Sequence, residues 1–290
     1  MRLDKLTDYY SNTELLDEIR ALLAPSYAVL GSFIMRGLTE PIPGMEAQLL
    51  LLRDEAGQLA AFCKFGYHMS DLTPCLYIGL TAVHPNYKDQ GLGRRLWERL
   101  FQECRRVEAG TEQRILVYLT TANSSAFKWF ARTLAGASPT ADGYCDAAGQ
   151  QRLQGIAAKQ YPQATWDAAT PYLLRRAAPG VSYSESEYLR VQQLAARESN
   201  DFFNSLAVDE RNGDRLLVVG FAPDLYSYLP TRHDWKNFAS ALCPPSWPFT
   251  NAAILAKRGS GYRMVEPFFG AYSKSTETPC CLLLLEKSSG

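Results

Sequence analysis

Histidine is scarce: the 290 residues hold three, far apart at positions 68, 84 and 233, so a zinc centre built on clustered imidazoles is not expected. The seven cysteines include no CxxC spacing, and their odd number suits neither a secreted disulfide framework nor a zinc ribbon. A reducing cytoplasm fits that usage. Excess charge of one sign is also missing, because thirty Lys and Arg balance thirty Asp and Glu. Nucleic acid and anionic membrane are therefore not expected as main partners. No apolar run is long enough to span a bilayer, and the first residues, "MRLDKLTDYY", lack the apolar core of a signal peptide. Internal repeats and low-complexity tracts are absent too. A soluble, cytoplasmic protein with a small partner is the expectation, and a hydrophobic content of 47% is enough for a well-formed core.

What is present reads as alternating helix and strand. "NTELLDEIRALL" opens on a capping asparagine and places Leu15, Leu16, Ile19, Leu22 and Leu23 at helical spacing. "SYAVLGSFIMRGL" reads as a second helix. "AQLLLLRDEAGQLAAFCKFGYHM" is two apolar runs about a charged turn with a glycine, a hairpin. "CLYIGLTAV" is a third strand, residues 92–107 a helix with Leu92, Leu96, Leu100, Phe101 and Cys104 on one face, "RILVYLTTA" a strand, and "NSSAFKWFARTL" a capped helix. This order predicts an α+β fold in three layers, a sheet with helices on its faces. Beyond Gly136, helices are expected near 147–160 and 185–200. Strands are expected in "GDRLLVVGFA", "NAAILAKRG", "YRMVEPFFGAY" and "PCCLLLLEK".

Between the third strand and its helix lies "VHPNYKDQGLGRR", residues 83–95. A glycine-bearing turn that feeds a helix N-terminus presents unpaired amides and the positive end of the helix dipole, which together suit an anion such as phosphate. Gly91 and Gly93 allow close approach and positive φ, and Lys88, Arg94 and Arg95 can add charge at the rim. The loop has no GK[ST] ending and no GxGxxG, so neither the Walker nor the dinucleotide fingerprint is met.

The segment resembles motif A of the GCN5-related N-acetyltransferases (GNATs), V-x-P-x-Y-[RQ]-x-x-G-x-[GA]. It stands here as Val83, Pro85, Tyr87, Lys88, Gly91 and Gly93, with Lys88 where arginine or glutamine is usual. "ILVYLTTANSSAFKWF", with Asn123 and Ala126, resembles the strand and N-x-x-A helix start that follow in that family, so the likeness runs over residues 12–136. The resemblance implies a mixed, mostly antiparallel sheet flanked by helices, here with a C-terminal extension. It further implies acetyl-CoA, or another acyl-CoA, as co-substrate. Its pantetheine would pair with exposed backbone at Thr81, Ala82 and Val83, and its pyrophosphate would rest on Lys88, Asp89, Gln90, Gly91, Leu92, Gly93 and Arg94. Asn123 would hold the pantetheine side.

At two positions the chain departs from the family. The glutamate base common five residues before the asparagine is Tyr118, and the tyrosine acid common seven residues after it is Phe130. Phenylalanine has no proton to give, and tyrosine, with a reference pKa of about 10, is a poor base. His84 is the expected catalytic base, being the imidazole nearest the loop. Tyr77 and the "DGYCD" cluster at 142–146 are weaker candidates. Trp97, Phe101 and Trp129 read as core, and Cys280 and Cys281 as thiols within a strand.

The leading reading is an acyl-CoA-dependent N-acyltransferase acting on an amine of a small molecule or peptide. The alternative is a CoA-binding module that has lost its proton-transfer groups. Residues 1–136 are expected to hold the acyl-CoA and 137–205 to form a helical insertion. The strands of 206–290 would complete the sheet or form a small acceptor-side domain, with Tyr226, Tyr228, Trp235, Trp247, Phe268 and Phe269 available to line a pocket.

Overall fold

A computed structural model describes residues 1–40, 42, 44–70, 73–111, 113–197, 201–223, 262–272 and 279–287, divided between two units, Met1–Ser227 and Tyr228–Gly290. In the first unit, Asn12 caps α1 (Thr13–Leu23), its Oδ1 accepting the Leu15 amide at 3.0 Å. The four leucines and the isoleucine predicted to share a face are all buried. The polar N-terminus, where no element was expected, forms β1 (Arg2–Leu6), an edge strand antiparallel to β3 (Glu46–Arg53). Side-chain burial does not reveal such a strand in the sequence, because backbone hydrogen bonds to β3 hold it.

The segment read as one helix from Ser26 divides. Tyr27–Val29 is a short strand, β2, and the helix α2 runs over Gly31–Thr39. β2 pairs with β9 (Ser182–Tyr183), a partner about 150 residues away that leaves no local signal. The predicted hairpin is present as β3 and β4 (Leu59–Ser70). Its turn is closed by Asp54 Oδ1 on the Gln58 amide at 2.8 Å and by Gly57 at φ +85°.

β5 (Thr73–Val83) runs antiparallel to β4, α3 (Leu92–Thr111) packs across β3, β4 and β5, and β6 (Leu116–Thr121) returns parallel to β5. α4 (Ser124–Thr133) and the short β7 (Ala135–Ser138) follow. Then come α5 (Ala147–Gln160), β8 (Leu173–Leu174), β9, α6 (Glu185–Arg197), α7 (Asp201–Ser205) and β10 (Arg215–Phe221). The large sheet runs β1-β3-β4-β5-β6-β10-β7, with β8 on β10, and its pairings are antiparallel except β5 with β6.

Helices cover both faces. On one side α1 buries Ile19 and Leu23 against Leu49, Leu51 and Phe62. Near the other end α5 buries Leu153, Ile156 and Ala157 against Tyr118, Leu217 and Val219. The uninterrupted apolar run Leu216–Val219 is fully buried. At about 1.5–3 kcal/mol for each such side chain, this burial is what seats β10 between β6 and β7 despite the long insertion before it.

In the second unit β11 (Tyr262–Tyr272) and β12 (Pro279–Lys287) form an antiparallel pair of their own, at the positions the sequence predicts. The strand expected in "NAAILAKRG", and the aromatics Tyr226, Tyr228, Trp235 and Trp247, lie outside the described residues. Among the described residues no helix is long and apolar enough to cross a membrane.

Candidate functional site

The parallel pairing of β5 with β6 covers only Cys75 to Ile78 against Leu116 to Leu119. Opposite Lys64, β5 then bulges. Ile78 pairs with Phe65 and Thr81 with Cys63, so three steps on β5 meet two on β4. A bulge bends and twists its strand, and from Gly79 onward β5 keeps β4 but has no ladder to β6. Gly79 suits the bend, since a Cβ there would lie 3.0 Å from the Tyr77 ring and 3.1 Å from the Lys64 carbonyl. The two strands diverge around a cleft of about 1140 Å³, lined along β5 by Gly79, Leu80, Thr81, Ala82 and Val83 and along β6 by Tyr118 to Thr121.

α3 points its N-terminus at this opening. The first rung of its ladder is the Arg95 amide on the Gly91 carbonyl at 3.0 Å, so the amides of Leu92 and Gly93 precede it without intrahelical partners. The loop's backbone is unusual at two places, Asp89 at φ +62° and Gly91 at φ +73°. Gly91 needs its conformational freedom. Gly93 is a different case: it lines the cleft and a Cβ there would meet only ordinary contacts, at 3.8 Å from Thr81 and 3.9 Å from Val83.

Most of the charged side chains of the loop, expected to add charge at the rim, have partners within the protein. Lys88 Nζ lies 2.5 Å from Glu187 Oε2 on α6 and donates to Ser26 Oγ at 3.0 Å. Asp89 pairs with Arg190 at 3.2 Å, Arg94 with Glu98 at 2.9 Å, and Gln90 donates to the Asn86 carbonyl at 3.2 Å. Burial pushes the Glu187 carboxyl up, but hydrogen bonds from Arg190 and Lys88 outweigh it and hold the group below 4.5. What the loop offers a ligand is therefore backbone. Glu187 and Arg190, from the helical segment with no motif, also line the cleft, as do Tyr161, Pro162, Val181 and Tyr183.

Asn123 lies at the β6 side of the cleft and caps α4, its Oδ1 accepting the Ser125 amide at 2.9 Å and the Ala126 amide at 3.1 Å. Trp97 was read as core. It lines the cleft and donates from Nε1 to Thr81 Oγ1 at 3.0 Å, while Thr81 Oγ1 donates to Cys63 Sγ at 3.2 Å. Burial pushes that thiol up to about 12. Phe130 is fully buried with its ring 4.6 Å from that of Trp97.

Of the groups that can move a proton, His84 does not line the cleft: its Nδ1 accepts the Asn86 amide at 3.3 Å and caps a single 3-10 turn over Pro85–Tyr87. The "DGYCD" residues are likewise absent from the cleft lining, and Asp146 caps α5. A histidine that sequence reasoning passed over is also absent from the lining but touches a tyrosine that is part of it. His68, on β4, has Nε2 2.9 Å from the Tyr118 hydroxyl. Burial lowers the imidazole below 6.5, partly offset by the Met69 carbonyl, and burial raises Tyr118. The Tyr77 ring lies 5.3 Å from that of Tyr118 at a tilt of 31°, and the Tyr161 hydroxyl bonds to Tyr77 and Thr120. Tyr77, Tyr118 and Tyr161 all line the cleft. Its α2 side carries Ile34, Leu38, Ile42 and Met45 together with Glu40 and Lys64. Among the described residues no cluster of metal-ligating side chains occurs.

Residues 16–135 match the model of the Acetyltransferase (GNAT) family. No curated protein matches the chain. Among solved structures it is similar to a chain of the NatC complex bound to Gag peptide and CoA, at 18% identity over 45% of this chain and 82% of that one, with a TM-score of 0.34. It is similar to the ribosomal-protein-S18-alanine N-acetyltransferase from Escherichia coli at 13% identity, over 77% of this chain and 96% of that one, with a TM-score of 0.36. Tetrahymena GCN5 gives 13%, 52% and 86%, with a TM-score of 0.34. With its mixed, mostly antiparallel sheet flanked by helices, residues 16–135 form a domain of the acetyltransferase (GNAT) family.

Proposed function

We propose that the chain is an acyl-CoA-dependent N-acyltransferase that moves an acetyl group from acetyl-CoA to an amine by direct attack. The observation that carries this reading is the divergence of β5 from β6 directly before the N-terminus of α3. The backbone of Thr81, Ala82 and Val83, paired with β4 but open on the side of β6, suits the amides of a pantetheine arm, and the amides of the turn into α3 suit a pyrophosphate. Asn123 lies beside the same cleft. The side chains of Lys88, Asp89 and Arg94 act here by fixing the loop, since each is already paired.

Attack requires a neutral amine, so a proton must leave its nitrogen. His84 faces the loop amides, and we assign the task to Tyr118 and His68 in its place. The Tyr118 hydroxyl takes the amine proton as it passes its own to His68 Nε2, which burial keeps neutral near pH 7. The nitrogen gains the acyl group as the carbon–sulfur bond breaks, and its second proton goes to the departing thiolate, which leaves as CoA thiol. No side-chain acid stands at Phe130, and positioning in the cleft supplies the rest of the rate.

Thermal unfolding with acetyl-CoA, CoA, ATP and NADP tests the reading, because a ligand of the folded state raises Tm. A rise confined to the CoA species, followed by thiol release in the presence of amines, is expected. A Tm unmoved by any CoA species overturns the site; a CoA-specific rise with no thiol release from any amine leaves a binding module instead.

A further inference from the structure

Five cationic side chains line the cleft, and four of them have partners. Lys88 meets Glu187, Arg190 meets Glu187 and Asp89, Arg215 donates to the carbonyls of Glu210 and Asp214, and Lys159 lies 3.5 Å from Ser70 Oγ. Lys64 is the exception. It is 4% exposed, and among the described residues no carboxylate or other acceptor pairs with its Nζ. The ammonium lies under α2, where a Cβ on Gly37 would stand 3.7 Å from it. Ile34, Leu38, Ile42 and Met45 line the same side of the cleft; Glu40 lines it too, but has another interaction and no ion pair with Lys64 is seen among the described residues.

An ammonium held in apolar surroundings without a partner is costly, and proteins relieve that cost by pairing the charge. Within this cleft the missing partner is an occupant. Among the described residues no second cation is seen paired beside this ammonium, and a single ammonium matches one unit of negative charge rather than a phosphate with several oxygens to satisfy. The apolar walls match a hydrocarbon body.

Resting on the acyltransferase reading, we propose that Lys64 binds a carboxylate of the acyl acceptor, which is therefore an amino-carboxylate with an apolar side chain. The proposal makes the α2 end of the cleft the acceptor subsite and leaves the α3 end to the cofactor.

The test compares matched acceptors with acetyl-CoA, leucine against leucinamide and phenylalanine against phenylalaninamide, in wild type and Lys64→Met. A charge-assisted hydrogen bond predicts a KM for the acids at least about tenfold below that of the amides, and loss of this preference in Lys64→Met. A readout free of turnover accompanies it: with CoA saturating, N-acetyl-leucine should raise Tm more than N-acetyl-leucinamide in wild type only. Equal responses to acid and amide in wild type overturn the proposal, as does a preference that survives Lys64→Met. A preference for succinyl-CoA over acetyl-CoA that vanishes in Lys64→Met, with acceptor choice unchanged, overturns it as well, because the carboxylate would then belong to the donor. The CoA-induced rise in Tm should persist in the variant; its absence already in wild type would count against the acyl-CoA reading instead.

Discussion

The Tyr118 hydroxyl and His68 Nε2 stand 2.9 Å apart and join β6 to β4 across the width of β5. Their strands do not pair with each other. The contact exists because Tyr77, opposite Tyr118 in the parallel ladder, leans on the Tyr118 ring rather than between the two polar atoms.

If this pair carries the amine proton, Tyr118→Phe and His68→Gln should each lower the acyl-transfer rate by about a hundredfold at saturating acetyl-CoA. Groups acting as one relay are not additive, so the double variant should be scarcely slower than either single one. The CoA-induced rise in Tm should remain. Additive losses would indicate separate structural effects.

The same histidine sets an acid limb. Its folded pKa lies below 6.5 because burial disfavours the charged ring. Below that pH the unfolded chain binds the proton more readily, so the His68 contribution to stability falls as the solution is acidified through the window beneath 6.5. Rate should fall over the same window. A rate profile in His68→Gln that keeps the wild-type acid limb would remove the histidine from the mechanism.

Gly93→Asp separates cradle from fold. The new Cβ meets only van der Waals contacts, and an acidic residue in a first helical turn is tolerated or favoured. Unfolding without ligand should therefore change by less than about 1 kcal/mol. Binding of CoA should be lost through charge repulsion at the mouth of α3. Undiminished affinity measured by calorimetry would move the pyrophosphate elsewhere.

Glu187→Gln should loosen the link between the loop and α6. The carboxylate accepts from both Lys88 and Arg190 in a site it leaves only 9% exposed, so its loss should cost roughly 2 kcal/mol in denaturant unfolding near neutral pH. With the folded carboxyl held below 4.5, that stability is present above 4.5 and lost as pH falls through the folded value. The difference between wild type and variant should close in acid. A difference that persists there would assign the effect to packing.

Lys64→Met should stabilise the protein. Burial draws the ammonium from 10.5 down to about 8, a shift worth roughly 3 kcal/mol of unfavourable charge burial. The cost is fully present below pH 8 and relieved as pH rises toward 10.5, so the gain from methionine should be greatest near pH 7 and shrink in base. A variant that gains stability while losing acid acceptors is what a binding lysine predicts. Lower stability at pH 7 would mark Lys64 as structural.

The features legible in the sequence are the ones encoded locally. Asn12 and Asn123 announce their helices because a cap acts on amides two or three residues away. The loop at 83–95 could be read because Gly91 and the α3 N-terminus are contiguous with it. The partners of its side chains were not legible, because that of Lys88 is Glu187, 99 residues on, in a helix without any motif. His68 was overlooked for the same reason, its partner lying 50 residues away.

By itself, then, the sequence determined most helices and strands of the first 136 residues, β1 and β2 excepted, with the glycine turn and the family they resemble, since hydrophobic period, capping and backbone freedom act over a few residues. The tertiary structure decided which charges are paired, which histidine meets the cleft-lining Tyr118, and that Lys64 is buried with no partner among the described residues. Those depend on strands and helices brought together across the sheet, where desolvation and hydrogen bonding act through space rather than along the chain.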